Sequence, residues 1–269
     1  MSAVPPPQSV LLARQWVVNY FNAQSDEAAR GFIAPDYALD IGDHLLAGRD
    51  TQWLPAVAQQ FAQFPGMGMT VHQVLPGSGE KADRVALCFS EHGASGGAGG
   101  PVAVWSGVAI YYARGEHLVF CCAQEDYATR GRQLRQGTTD PVDPPAPAPW
   151  DTPALGTSPE AEAVVRLWLA QSWPRVSAEV RVDDEHITGM PLYFEVESTE
   201  VLDLFSSGSD VAFRVHQRGR YRGGLPGVPA RDRMEVLKLN GIVRVLDGAV
   251  CSGRVIRDRG GLKARLLKD

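Results

Sequence analysis

Residues 139 to 153 read TDPVDPPAPAPWDTP, and this stretch limits the fold more than any other. Proline has no amide donor and fixes φ near −65°, so a segment this dense in proline makes neither a helix nor a central strand. It reads as an extended, semi-rigid spacer. The chain of 269 residues therefore divides into residues 1–138 and 154–269, with a linker at 139–153. Each part is about the size of an ordinary domain, ~100–150 residues, and large enough to bury its own core.

The first part opens with apolar residues at helical spacing. Leu12, Trp16, Val17, Tyr20 and Phe21 share one face of a helix over Ser9 to Ala23. Ser25, Asp26 and Glu27 suit the capped, acidic start of a second helix, which Pro35 stops. Asp50 is placed to cap a third, carrying Trp53, Val57, Phe61 and Phe64 and ending at Pro65-Gly66. The period then changes to two. Met69–Leu75, Arg84–His92, Val102–Ala113 and His117–Asp126 read as strands separated by turn residues. The Gly93–Gly100 tract joins two of them; without a following Lys-Ser/Thr it is a hairpin connection and not a phosphate loop. Helices followed by antiparallel strands mean an α+β domain.

The second part repeats the plan. Ser158-Pro159 starts a helix whose apolar face is Val164, Val165, Trp168 and Leu169. Strands are expected at Val211–Gln217, Met234–Val245 and Ala249–Asp258. Val85-Ala86 corresponds to Val211-Ala212, Gly107-Val108 to Gly241-Ile242, and Glu125-Asp126 to Arg257-Asp258. Asp43-His44 with Gly48 parallels Glu185-His186 with Gly189. The second copy is shortened where the first has its third helix. Either that helix is lost, or Tyr193, Phe194 and the Leu202-Leu204-Phe205 cluster rebuild the space.

The net charge is −5 with no basic block, which argues against nucleic acid and anionic membrane as partners. No apolar stretch approaches the ~20 residues that span a bilayer, and Met1 to Gln8 lacks the pattern of a secretory leader. A cytoplasmic location is expected. Cys88, Cys121, Cys122 and Cys251 sit in apolar strand-like runs and read as small buried hydrophobes. No zinc-like spacing occurs, and neither a metal nor a cofactor is expected.

His44-Leu45-Leu46-Ala47-Gly48, Phe64-Pro65, Gly107-Val108 and Asp126 before Arg132-Gln133-Leu134 follow one another in the first copy. The second has Gly219-Arg220-Tyr221-Arg222-Gly223, Gly227-Val228-Pro229, Gly241-Ile242 and Asp258-Arg259-Gly260-Gly261-Leu262. In this order the motifs resemble the SnoaL-like polyketide cyclases, within the nuclear transport factor 2 and ketosteroid isomerase superfamily. The first copy departs where His92-Gly93 runs into a Gly/Ala/Ser tract. The second lacks the long helix and has Arg-Tyr where the family has Thr-His. The resemblance implies two tandem cones, each a curved antiparallel sheet wrapped on N-terminal helices around an apolar pocket.

It also implies a function: a cofactor-independent cyclase or isomerase acting on a small apolar carbonyl substrate, with the second copy completing a pseudo-dimer inside one chain. Asp126 matches the family's general acid/base; its other reading is a strand-end residue capping the helix at Tyr127–Leu134. An apolar pocket would raise the pKa of such a carboxylate toward the working range. Gln124 and Cys122 share its strand face, and Gln124 is either a partner of the carboxylate or a solvent-facing residue. His44 is expected at the pocket mouth with a role in catalysis or ligand contact; its other reading is a hydrogen-bonded structural histidine. Trp53, Trp105, Tyr37, His92 and Asp258 are the expected substrate contacts, although packing alone would also explain Trp105. The Arg residues flanking Asp258 are expected to depress its pKa. The larger cavity is expected in residues 1–138. Epoxide opening or hydration by paired carboxylates, dehydration, and a binding role without chemistry are the alternatives.

Overall fold

The computed structural model describes residues 5–171, 179–184 and 192–268. Glu185, His186 and Gly189 lie outside the described residues. The first unit opens with helix α1 (Gln8–Arg14), which continues as a wider π-helical run over Gln15–Phe21. The widened turn keeps Trp16, Val17, Tyr20 and Phe21 buried together. Helix α2 (Asp26–Phe32) begins at Ser25, whose Oγ accepts from Ala28 N at 3.3 Å. Strands β1 (Ile33–Ile41) and β2 (His44–Ala47) follow. A π-turn (Arg49–Trp53) then leads into α3 (Leu54–Gln63). Asp50 does not cap α3: it is exposed and pairs with Arg30 and Arg49.

Strands β3 (Gly68–Pro76), β4 (Arg84–Ala94), β5 (Val102–Arg114) and β6 (His117–Glu125) complete the first sheet, and α4 (Tyr127–Gln136) closes the unit. The order is β2-β1-β6-β5-β4-β3, antiparallel except for β1 against β6. The second unit has α5 (Pro159–Gln171), β7 (Val180–Val182), β8 (Tyr193–Ser207), β9 (Asp210–Gly223), β10 (Met234–Leu246), β11 (Ala249–Arg257) and α6 (Arg259–Leu267). Its order is β7-β11-β10-β9-β8, with β7 parallel to β11. The fold is therefore α+β, two mixed sheets with helices in tandem. Among the described residues the second unit has no counterpart of α3 between β7 and β8.

The central strands of each sheet are buried on both faces. One face of the first sheet packs under its own helices, with Val85, Leu87, Phe89, Trp105 and Tyr111 in that core. The other presents Leu75, Ala86, Cys88, Val108 and Ile110 to Phe205, Ala212, Ile242 and Ile256 of the second sheet. The units thus pack sheet against sheet within one chain. Asn240 pins this interface: its Nδ2 donates to the Val108 and Cys122 carbonyls, each at 3.1 Å. The proline-rich segment is fastened down, not free. Ala146 N donates to Val71 O at 2.9 Å, and Trp150 packs against the first core.

The repeat has a physical signature. Gly107 on β5 pairs with Phe89 on β4, and a Cβ there would fall 2.3 Å from the Phe89 ring. Gly241 on β10 pairs with Phe213 on β9, with the same clash at 2.4 Å. Each glycine lets an aromatic ring lie flat across the neighbouring strand. Gly107→Ala is therefore expected to lose about 1–3 kcal/mol by overpacking. Adding Phe89→Leu should recover part of that loss in denaturant unfolding; equal stability of Gly107→Ala and the parent would contradict the packing.

Candidate functional site

Alternation on the strands assigns their side chains to one environment or the other. On β4, Val85, Leu87 and Phe89 enter the helix-covered core, and Glu91 is next on that face. On β6, Cys121 and Ala123 do so, and Glu125 follows. Both apolar faces end on a carboxyl, and the two meet. Glu91 lies opposite Trp105 across β4–β5, while Glu125 lies opposite Gly107 across β5–β6. Each carboxyl lies in the other's field. Two buried carboxyls that interact are most stable when together they carry a single negative charge.

The surroundings decide which one. Gln60 Nε2, from α3, donates to Glu91 Oε2 at 2.8 Å. Trp105 Nε1 donates to Glu125 Oε2 at 2.9 Å, and the nearby Tyr127 phenol also favours the charged form of Glu125. Burial pushes Glu91 well above the usual carboxylate range, and the adjacent Glu125 charge adds to this. Burial raises Glu125 too, but Trp105, Tyr127, Glu91 and the charge of Arg130 oppose it. The shared proton therefore belongs to Glu91, and Glu125 is the ionised partner. The Arg130 guanidinium lies 4.3 Å from the Tyr127 ring centroid, 5.1 Å from Trp105 and 5.6 Å from Phe64. Gln60, Phe61, Glu125, Tyr127 and Arg130 are half-buried and form the mouth of this site; Glu91 is buried behind them.

Asp126, one residue beyond Glu125, faces the other way. It caps α4 by accepting from Thr129 N at 3.0 Å and from Thr129 Oγ1 at 2.9 Å. It also accepts from Asp184 N at 2.9 Å and from Arg259 Nη2 at 2.6 and 2.5 Å, both in the second unit. Burial opposes its charge, but Arg259 and these donors hold it down at about 2, against an ordinary 3.8. A carboxylate this tightly held is a poor base near neutrality, so the expected proton-transfer role gives way to that of an interface anchor. Gln124 and Cys122 share its face; Gln124 is buried there, and Cys122 touches Asn240.

The other expected contacts are also placed differently. His44 is exposed on edge strand β2, and His92 is exposed near the end of β4. Trp53 and Tyr37 are fully buried, 5.1 Å apart between ring centroids, and act as core. Trp105 is buried too, but it belongs to the carboxyl site through its indole N–H. Asp258 caps α6 through Gly261 N at 2.7 Å. Its pKa is raised by burial, not lowered, because Arg257 and Arg259 turn to Asp183 and Asp126 instead.

The interior expected to hold the larger cavity is filled by Tyr20, Tyr37, Trp53, Phe64, Trp105 and Tyr111, all nearly or fully buried. A groove of about 330 Å³ lies instead between the units, lined by His72, Cys88, Asp143, Arg181 and Arg254 among others. Among the described residues no group of three or more His, Cys, Asp or Glu is arranged to hold a metal, and no helix is long and apolar enough to cross a membrane.

The carboxyl pair left only a faint trace in the sequence. A Glu at the end of an apolar alternation reads as the polar punctuation of a strand, and only the shared face linked Glu91 to Glu125.

No family model matches the sequence, and no curated protein does. Solved structures match about half of the chain each. IdmH, a candidate polyketide cyclase from Streptomyces antibioticus, is 23% identical over 48% of this chain and 99% of its own, with a TM-score of 0.41. A candidate SnoaL-like polyketide cyclase from Jannaschia sp. CCS1 is 16% identical over 50% of this chain and 96% of its own, at 0.41. An LEH-like epoxide hydrolase of M. tuberculosis is 9% identical over 50% of this chain and 90% of its own, also at 0.41.

The two neighbouring carboxylates give opposite pH dependences. Asp126 is depressed, so it stabilises the fold above the ordinary carboxylate range, and that contribution is lost as pH falls toward about 2. Glu91 is raised, so its contribution is present at acid pH and lost as pH rises through its folded value. Arg259→Ala leaves a buried carboxylate without its cation and is expected to cost about 3 kcal/mol. That cost should shrink as pH falls through the ordinary carboxylate range, because a protonated Asp126 no longer needs the cation; a cost that does not change with pH in denaturant unfolding would mean Arg259 does not hold Asp126.

Proposed function

We propose that the first unit is a cofactor-independent acid/base site in which Glu125 is the base and Glu91 the acid. The observation that carries this reading is the Glu91–Glu125 pair, two carboxyls that meet beside an aromatic core and are held by Gln60 and Trp105. A base near an apolar interior needs an ionised carboxylate that is oriented yet not neutralised by an ion pair. Glu125 fits: an indole and a phenol orient it, while its raised pKa keeps it willing to accept a proton. Glu91 fits the complementary role, because it is protonated and held by Gln60.

On a carbonyl substrate the steps balance within the pair. Glu125 removes a proton from the carbon beside one carbonyl, and the resulting enolate carbon attacks a second carbonyl of the same molecule. Glu91 gives its proton to the alkoxide oxygen that forms. The proton gained by Glu125 then passes to Glu91, which restores the starting state. This is an intramolecular aldol-type ring closure. Epoxide hydration is the second reading, favoured by the meeting of two carboxyls of unequal acidity on one face of the sheet. There Glu125 would deprotonate water while Glu91 protonates the epoxide oxygen.

Among the described residues the second unit has no such pair. Arg257 stands where the first unit has Glu125, and its Nε donates to Asp183 Oδ2 at 2.8 Å inside the second unit. We assign that unit a supporting role.

The test is proton exchange at carbon, followed by NMR with 2-tetralone in deuterated buffer. The native protein should exchange the protons beside the carbonyl faster than buffer alone. Glu125→Gln keeps the shape but cannot accept a proton, so exchange should fall by ~10²–10⁴-fold, the usual worth of a positioned acid or base. Undiminished exchange in Glu125→Gln would overturn the assignment. Hydration of styrene oxide by the native protein, without 2-tetralone exchange, would favour the second reading.

A further inference from the structure

Among the described residues, Arg130 is the one charge at the site mouth that the proton-transfer scheme leaves unused. Its guanidinium is held against the faces of Tyr127, Trp105 and Phe64. One of these, Trp105, donates to Glu125, and Tyr127 lies close enough to favour its charged form. Neighbouring cations are spoken for: Arg132 pairs with Asp140, and Arg259 with Asp126. Among the described residues no carboxylate lies within ion-pair distance of Arg130, although its charge is felt at both Glu91 and Glu125. An arginine fixed by three aromatic faces is partly stripped of water and rotationally restricted. Its planar fork of donors then suits one kind of partner, a planar anion bound through two hydrogen bonds.

Resting on the acid/base reading above, we infer that the substrate is an apolar molecule bearing a carboxylate, received by Arg130 at the site mouth while the reacting carbon lies against Glu125. The charges on the page agree with this order. Glu125 is ionised and would repel a carboxylate brought close to it, so an anionic substrate needs a cation placed between mouth and base. Arg130 has that position: α4 carries it three residues after Tyr127, whose ring forms one wall of the cage. An enolate formed during the reaction would sit deeper, beside Glu91, where the proton donor is. Arg130 is thus a specificity-determining contact, and proton transfer belongs to the glutamates.

The experiment compares two probes that differ only in charge, 2-naphthoate and 2-naphthamide, by titration calorimetry on the full chain. The native protein should prefer the acid over the amide by tenfold or more. Arg130→Gln should abolish that preference and leave amide binding unchanged. Equal affinities for the two probes in the native protein would overturn the inference, and so would an undiminished preference in Arg130→Gln. Failure here is separable from failure of the acid/base reading. Glu125→Gln with full proton exchange removes the base but leaves the probe preference standing, whereas an indifferent Arg130 leaves the loss of exchange in Glu125→Gln standing.

Discussion

Burial of both faces of each sheet is the constraint on which the rest of this molecule depends. One face lies under its own helices and the other against the partner sheet, so the residues of the central strands divide between two interiors. On β6 that choice separates two adjacent carboxylates. Glu125 joins Cys121 and Ala123 on the helix side, while Asp126 joins Cys122 and Gln124 on the interface side. Desolvation acts on both. Asp126 meets Arg259, two contacts from Thr129 and the amide of Asp184, and stays ionised. Glu91 meets a second carboxyl and no ion-pair partner, and keeps its proton.

The interface itself is apolar at its centre and ionic toward one end. Ile110, Val108, Ile242 and Ile256 exclude water around Asn240. Beyond them, Asp126 pairs with Arg259, Asp183 with Arg257, and Asp184 with Arg254 and Ser106. Breaking one partner in such a buried network costs more than the pair contributes, because the other charge is stranded. The network joins α4 to the second unit, and α4 also carries Tyr127 and Arg130. The second unit thereby fixes the helix that shapes the mouth of the site in the first.

Features governed by local chemistry were legible in the sequence. The proline-rich spacer, the Ser25 cap, the β4–β5 hairpin and the repeated Gly107 and Gly241 each follow from the backbone demands of a few neighbouring residues. Strand β1 was not legible, because Pro35, Asp36 and Asp40 interrupt its alternation and its pairing with β6 slips between Ile33 and Ala38. Strand β8 was missed because it mixes charged and apolar positions and its ladder to β9 shifts three times. The identity of the buried face of β6 was also out of reach. Both faces carry small or polar residues, and only the arrival of the second sheet decides between them. The carboxyl site has the same character: Gln60, Trp105, Tyr127 and Arg130 come from three elements, and no spacing in the sequence joins them to Glu91.

The central claim is that the proton-bearing carboxyl of the first unit sits on the helix side of its sheet, at Glu91 beside Glu125, and not at Asp126. Carbon-13 NMR of the side-chain carboxyls, titrated across the acid and neutral range, reads this directly. The account predicts that one proton remains on the Glu91–Glu125 pair at neutral pH, with both resonances moving together as it is lost, while Asp126 stays ionised down to about 2. Full ionisation of both glutamates at neutral pH, with Asp126 taking up its proton above the ordinary carboxylate range, would contradict it.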